Sequence, residues 1–309
     1  IVQLDKMPGE NEIQKWGLTD YVGAVTDGTY GAVGLDFKSP HTGLAAKKVW
    51  FFFDKTYVCL GTDISSRMKN QVLTTVNQCL LNGQVTVSDA DGIHPQERGS
   101  RMKKGVRWVV HDRVGYYFLN KENVILSNQR TEGSWKIANR QTTTPTDIIQ
   151  QDVFTLSVDH GSYPNNEGYA YMVVPSADPL SIEKQVEEEG VVVLANCPDV
   201  QAVRHDGLNM AYAVFYKGGT LRIHDKIVVE MDAPGMLMVK YNDAGEILTL
   251  GVSDPTRFMK KLHLSVNQRI VGTAQENIQT EWDGKQALTR ISVDLPQNEY
   301  AGKSVIYNK

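Results

Sequence analysis

The chain has 309 residues, with 32 Lys and Arg against 36 Asp and Glu and a formal net charge of -4. At about 150 residues per domain this length suggests roughly two domains, and 41% hydrophobic with 22% charged residues excludes an intrinsically disordered chain. The balanced charge argues against nucleic-acid binding, which needs a basic face to neutralise phosphates. No apolar run approaches the roughly 18 residues of a membrane-spanning helix, so no membrane span is expected.

In chain order, Ile1–Glu10 offers no initiator Met, basic segment or apolar core of a signal peptide. Such a peptide is expected to be absent or already removed, and the start reads as that of a fragment or processed chain. Tyr21–Val25 and Tyr30–Phe37 then flank Asp27-Gly28, a strong hairpin signal. Lys47–Phe53 and Thr56–Leu60 flank Asp54-Lys55 and read as a second hairpin. Trp108–Phe118 carries the aromatic and β-branched residues of a half-buried strand. Further strands are predicted at Val124–Ser127, Val153–Val158, Tyr169–Val174, Val191–Leu194, Met210–Tyr216, Thr220–His224, Ile227–Met231, Met236–Tyr241, Ile247–Val252, Leu262–Val266 and Leu288–Leu295.

Asp178–Glu189 alone reads as helix, opening on Asp-Pro and stopping at Gly190. Many short strands and almost no helix predict an all-β protein: a large antiparallel β-sandwich domain followed by a smaller C-terminal β-sandwich. No fixed-period repeat supports a propeller. The break is expected between His224 and Lys226, giving domains 1–225 and 226–309, with the polar stretch Gln275–Gly284 as a long hairpin loop in the second.

Chemistry-bearing residues are scattered. Cys59, Cys79 and Cys197 form no paired motif, and the apolar settings of Cys59 and Cys197 predict buried, inert thiols. His111 and Asp112, consecutive in a strand, would point to opposite faces and cannot form a dyad. His160 in a Gly/Ser/Pro turn and His224 near the expected boundary have structural readings. Metalloprotease, nucleophile-elbow and phosphate-loop motifs are absent.

Two features stand out. In Lys47-Lys48-Val49-Trp50-Phe51-Phe52-Phe53, alternation sends Trp50 and Phe52 to one face and Phe51 and Phe53 to the other. One face can fill a core while the other offers a ring for stacking on a sugar, and the lysines can meet carboxylates or sulfates of an acidic glycan. Burial on both faces is the alternative. Asp27 and Asp36 bracket the first hairpin and read either as ligands for Ca²⁺ or as turn residues.

The string Ala46–Gly61, AKKVWFFFDKTYVCLG, resembles a hallmark of polysaccharide lyase family 8, whose members cleave chondroitin sulfate, hyaluronan or xanthan. Tyr21–Gly31, Thr74–Gln78, His111–Phe118, Gly133–Ile137, Asp159–Gly161, Tyr169–Tyr171 and Asp254-Pro255 continue the resemblance in order, most like the chondroitin AC branch. It implies a central antiparallel supersandwich and a small C-terminal β domain, normally preceded by an α/α toroid. It also implies β-elimination at a uronic acid: the sugar carboxylate is neutralised, a base removes the C5 proton and an acid protonates the leaving oxygen. The family's Asn, His, Tyr and Arg for this lie in the toroid and have no counterpart here, so no catalytic residue is assigned.

By the same resemblance, Trp50 is a sugar-stacking position, with Lys47 and Lys48 beside it. Asp27, Asp36 and the backbone of Phe37 resemble part of a structural calcium site, although Val25 stands where another carboxylate is expected. The chain is therefore expected to form one wall of the substrate cleft of a glycosaminoglycan lyase and to be inactive alone. Its expected partners are chondroitin sulfate or hyaluronan and the toroid, and its expected location is extracellular or periplasmic. A free-standing acidic-glycan-binding module without catalysis is the alternative, and a purely structural role the third reading.

Overall fold

Strands of alternating apolar and polar residues, and a few of continuous apolar ones, make 22 among the described residues of this computed structural model, which are 17–40, 42–139, 141–270 and 276–309. The first seven strands are β1 (Val22–Thr26), β2 (Gly31–Lys38), β3 (Ala45–Phe52), β4 (Tyr57–Ser65), β5 (Gln71–Leu80), β6 (Val85–Asp89) and β7 (Gly92–Pro95). Four more follow: β8 (Gly99–His111), β9 (Val114–Gly133), β10 (Ile149–Ser162) and β11 (Glu167–Pro175). Next come β12 (Val191–Cys197), β13 (Val200–His205), β14 (Met210–Phe215), β15 (Gly219–His224), β16 (Ile227–Met231) and β17 (Gly235–Tyr241). The last are β18 (Ile247–Ser253), β19 (Lys261–Val266), β20 (Ile278–Asp283), β21 (Leu288–Asp294) and β22 (Val305–Asn308). Two α-helices among the described residues, α1 (Trp135–Ala138) and α2 (Ile182–Glu189), interrupt them. The all-β expectation holds.

The strands form three antiparallel sheets. β1 to β11 make an eleven-stranded sheet, ordered β1-β2-β3-β4-β11-β9-β8-β6-β7, with β10 joining β9 to β5. A six-stranded sheet follows the order β12-β13-β14-β17-β18-β22, and a five-stranded one β15-β16-β19-β21-β20. Three cores separate the layers. One lies within the curl of the large sheet, around Phe118, Phe154 and Leu156. A second, around Phe51, Trp108, Tyr212 and Met238, joins the large sheet to the six-stranded one. The third, around Phe215, Val239, Leu262 and Ile291, joins the two smaller sheets.

The six-stranded sheet takes strands from both sides of residue 225, and a cut there falls in the turn of the β15–β16 hairpin, whose strands pair from Gly219↔Met231 to His224↔Ile227. The expected division therefore coincides with no sheet edge. The chain leaves the large sheet instead through α2, which ends at Gly190 in the left-handed conformation (φ 61°). Asp178–Ser181 belongs to the turn that opens this helix: the carbonyl of Asp178 accepts from the N–H groups of Ser181 and Ile182.

Two sequence readings are corrected. Trp108–Phe118 is not one strand: β8 ends at His111, β9 starts at Val114, and Asp112 and Arg113 (φ 47° and 63°) form the two-residue turn between them. Both positive φ values match the twist of the flanking strands, but Asp-Arg is a weak signal for such a turn. Gln275–Gly284 is not a loop throughout: Ile278–Asp283 is strand β20, paired with β21, while Gln275 lies outside the described residues.

Candidate functional site

Strand β3 decides where the site lies. Its odd positions Val49 and Phe51, with Phe53 just beyond, are buried in the core shared with the six-stranded sheet. Its even positions face the other way and form rows with their register partners. Val33, Trp50, Cys59 and Tyr171 make one row, Gly31, Phe52, Tyr57 and Val173 the next, and Leu35, Lys48, Gly61 and Tyr169 the third. Each row runs from accessible to covered. Val33 and Phe52 are exposed (Phe52 at 41%), Trp50, Lys48 and Tyr57 are half-buried, and Cys59, Tyr169 and Tyr171 are buried beneath the folded-over part of the sheet. Trp50 thus stands at the border between open and covered sheet.

Aromatic and cationic groups gather at that border. The Lys48 ammonium lies 5.1 Å from the Trp50 ring centroid, within cation–π range. The Phe52 and Tyr57 rings are 5.7 Å apart. Burial lowers the Lys48 pKa, so an approaching carboxylate or sulfate would offset a desolvation the fold imposes. Gly61 makes the covered end possible: a Cβ there would lie 2.1 Å from the Tyr169 ring. Alternation in Tyr57-Val58-Cys59-Leu60-Gly61 would have placed Tyr57 on this face, and the sequence reading missed it.

Lys47 is a different residue despite its adjacency. Its ammonium donates to the carbonyl of Pro198 at 2.7 Å, pairs with Asp63 at 3.5 Å and lies 4.9 Å from the Tyr216 ring. It ties β3 to the β12–β13 turn and turns away from Trp50. Only Lys48 of the two expected cations stands beside the tryptophan.

The three histidines singled out in the sequence carry structural duties. Nε2 of His111 accepts the Asn82 backbone N–H at 3.0 Å, its ring stacks on Phe154 at 4.3 Å, and burial lowers its pKa. Asp112, in the turn, accepts from the Asn82 side chain. His160 shares a 2.8 Å hydrogen bond with Thr74, and burial, opposed by the Asp159 charge and reinforced by that of Lys48, pushes its pKa to about 4. His224 lies against Tyr241, with Nδ1 accepting the Lys226 N–H. Burial pushes the Cys59 thiol to about 12, the state of an inert thiol. Cys197 is half-buried rather than buried.

The expected calcium ligands do not converge. Asp27 stands beside Tyr30 at the turn, whereas Asp36 pairs through its N–H with Tyr21 at the far end of the same hairpin. The offset along the strands is about 20 Å. Asp27 binds Lys240 and the N–H groups of Thr29 and Tyr30, which lower its pKa despite burial. Burial raises the Asp36 pKa, with Lys47 opposing and Asp63 and Asp20 adding to the rise. Phe37 pairs with Ala46 and packs its ring on the inner core. Asp27, Asp36 and Phe37 therefore do not fit a shared ion, and no group of three or more His, Cys, Asp or Glu is arranged for a metal among the described residues.

Sequence models of two domains match the chain: the super-sandwich domain of polysaccharide lyase family 8 over residues 3–186 and the C-terminal beta-sandwich domain of that family over 192–263. The chain is 36% identical over 304 residues to chondroitinase-AC of Pedobacter heparinus, covering 98% of this chain and 39% of that protein. It is 29% identical over 288 residues to a hyaluronate lyase of Thermasporomyces composti, covering 91% of this chain and 36% of that protein. A solved chondroitinase AC lyase superposes with a TM-score of 0.79 at 34% identity, over 93% of this chain and 40% of that one. A Paenibacillus xanthan lyase shares the fold with a TM-score of 0.80 at 23% identity, over 93% of this chain and 28% of that one.

Proposed function

Because the chain belongs to polysaccharide lyase family 8, we propose that it is the β portion of a glycosaminoglycan lyase and supplies one wall of the substrate cleft. The observation that carries this reading is the strip of Lys48, Trp50, Phe52 and Tyr57 at the border between open and covered sheet. A half-buried tryptophan offers a flat apolar surface to a pyranose ring. The adjacent ammonium complements a uronate carboxylate or a sulfate ester. Chondroitin sulfate and hyaluronan, each carrying a uronate, are the proposed substrates, in keeping with the relatives' names.

In this reading the elimination itself belongs to an N-terminal α/α toroid, and the chain alone has no lyase activity. The structural duties of His111, His160 and His224 support that assignment. The long β9–β10 hairpin carries a docking surface for the toroid at its end. Trp135, Ile137 and Ile148 are 62%, 70% and 70% exposed there, and such a cluster on one hairpin end marks an interaction site. The division between the two β units is proposed at the α2–β12 link near Gly190, in line with the limits of the two family matches. A polymer substrate too large to cross a membrane supports an extracellular or periplasmic location.

Isothermal titration of the chain with a chondroitin tetrasaccharide tests the binding wall. Trp50→Ala is expected to weaken binding by about 1–3 kcal/mol, the range for a base stacked on an aromatic side chain. Unchanged affinity would remove Trp50 from the wall.

A further inference from the structure

The five-stranded sheet buries one face on the six-stranded sheet and turns the other outward. On β16, β19, β21 and β20, the alternating positions Met231, Leu264, Ile291 and Ile278 are buried, which fixes their neighbours on the outer face. Register then aligns those neighbours in two adjacent rows. Glu230 faces Ser265, Ser265 faces Arg290, and Arg290 faces Glu281. In the second row His263 faces Ser292, which faces Gln279.

The two serines are short and occupy the middle of the rows, with long side chains on either side. The result is a trough of about 580 Å³, within the size range of small-molecule sites. It spans three inter-strand steps, roughly 14 Å. Its polar groups are largely uncommitted. Arg290 reaches Asp283 and Gln286, and Asp232 at the rim accepts the His263 backbone N–H. The side chains of Glu230, Ser265, Gln279, Glu281 and Ser292 have no hydrogen-bond partner among the described residues.

The chemistry of this set differs from that of the Trp50 face. Three carboxylates, Glu230, Asp232 and Glu281, outweigh an arginine that is already paired, so a polyanionic glycan is repelled. No Phe, Tyr or Trp lines the trough, so recognition must come chiefly from hydrogen bonds rather than stacking. Carboxylates accept, serine hydroxyls and the Gln279 amide both donate and accept, and this combination suits neighbouring sugar hydroxyls. We propose that the outer trough of the five-stranded sheet is a second saccharide site, specific for an uncharged, hydroxyl-rich chain of a few rings. It stands apart from the Trp50 face and does not depend on the function proposed for it.

The test is calorimetric titration of the whole chain with cellotetraose, mannotetraose, xylotetraose and chitotetraose, with a chondroitin tetrasaccharide run in parallel. At least one neutral probe is expected to bind at millimolar concentration or below. Ser265→Trp, which fills the trough from its floor, is expected to weaken that binding at least about tenfold, as is the double variant Glu230→Gln/Glu281→Gln, through lost charge-assisted hydrogen bonds. The double variant changes only exposed side chains and decides the matter if Ser265→Trp does not fold. Trp50→Ala is expected to leave neutral binding unchanged. Failure of all four neutral probes to bind, survival of binding in the folded trough variants, or its loss in Trp50→Ala would overturn the proposal.

Discussion

Lys47 and Lys48 are adjacent in sequence and serve different parts of the molecule. Lys47 is held by Asp63, the Pro198 carbonyl and Tyr216, so Lys47→Met should cost about 1.5–3 kcal/mol of stability, the range for a hydrogen bond to a charged group. A shift of the urea midpoint would report it, and glycan affinity should hardly change in the folded variant. Lys48→Met should do the reverse: the midpoint stays, while chondroitin affinity falls and loses part of its salt dependence. A third substitution probes the covered end of the strip. Gly61→Ala drives a methyl into the Tyr169 ring and should destabilise by about 3 kcal/mol, read as a lowered midpoint. At this scale, the faces of Trp50 and Phe52 were legible because strand alternation is local. The same rule separates Lys47 from Lys48, but its weight emerged only once Pro198 and Asp63 were seen to hold Lys47. The separation of Asp27 from Asp36 was not legible, because a nine-residue spacing does not reveal that register puts them at opposite ends of one hairpin.

At the scale of elements, strands with clear alternation were read within a few residues of their limits, and several of the misses share a cause. β5, β6 and β20 carry many Thr, Ser, Asn, Gln or Glu residues, and their strand character comes from neighbours that satisfy their backbones. β9 shows how such long-range pairing creates a titratable device. It pairs with β11 only from Val114 to Phe118, and farther along Glu122 reaches back to the Ala170 backbone N–H. Burial raises the Glu122 carboxyl from its ordinary 4.5 to about 7, with the Ala170 N–H opposing and Glu167 adding to the rise. The native state therefore keeps this proton up to a higher pH than the unfolded chain does. Its stabilising contribution is complete below about pH 4.5 and is lost as pH rises towards and through 7. Glu122→Gln keeps an acceptor for Ala170 and removes the titration. Urea unfolding should show the variant gaining stability relative to the parent between pH 5 and pH 8, and an unchanged difference across that range would contradict the assignment.

At the scale of the whole molecule, the all-β class followed from composition and strand density, whereas the layering did not. The six-stranded sheet collects β12, β13 and β14 with β17, β18 and β22, and no local signal announces that strands so far apart share a sheet. The hairpin turn at residue 225 looked like a boundary because polar turn residues mark both loops and linkers. Contacts between layers hold the assembly together. The Tyr21 hydroxyl donates to the Phe215 carbonyl at 3.0 Å, Ser253 donates to the Ala24 carbonyl at 2.8 Å, and Asp27 pairs with Lys240. The first hairpin, which pairs with the strand that carries Trp50, is thereby anchored to the six-stranded sheet.

The central claim is that this chain presents substrate and leaves the elimination to another domain. Continuous ultraviolet detection of unsaturated uronate tests it most directly, with the purified chain and either chondroitin sulfate or hyaluronan. The expected result is no unsaturated product from either polymer, under conditions where the chondroitin tetrasaccharide binds in a Trp50-dependent manner. Steady formation of unsaturated product by the chain alone would contradict the claim and return His111 and His160 to the list of catalytic candidates.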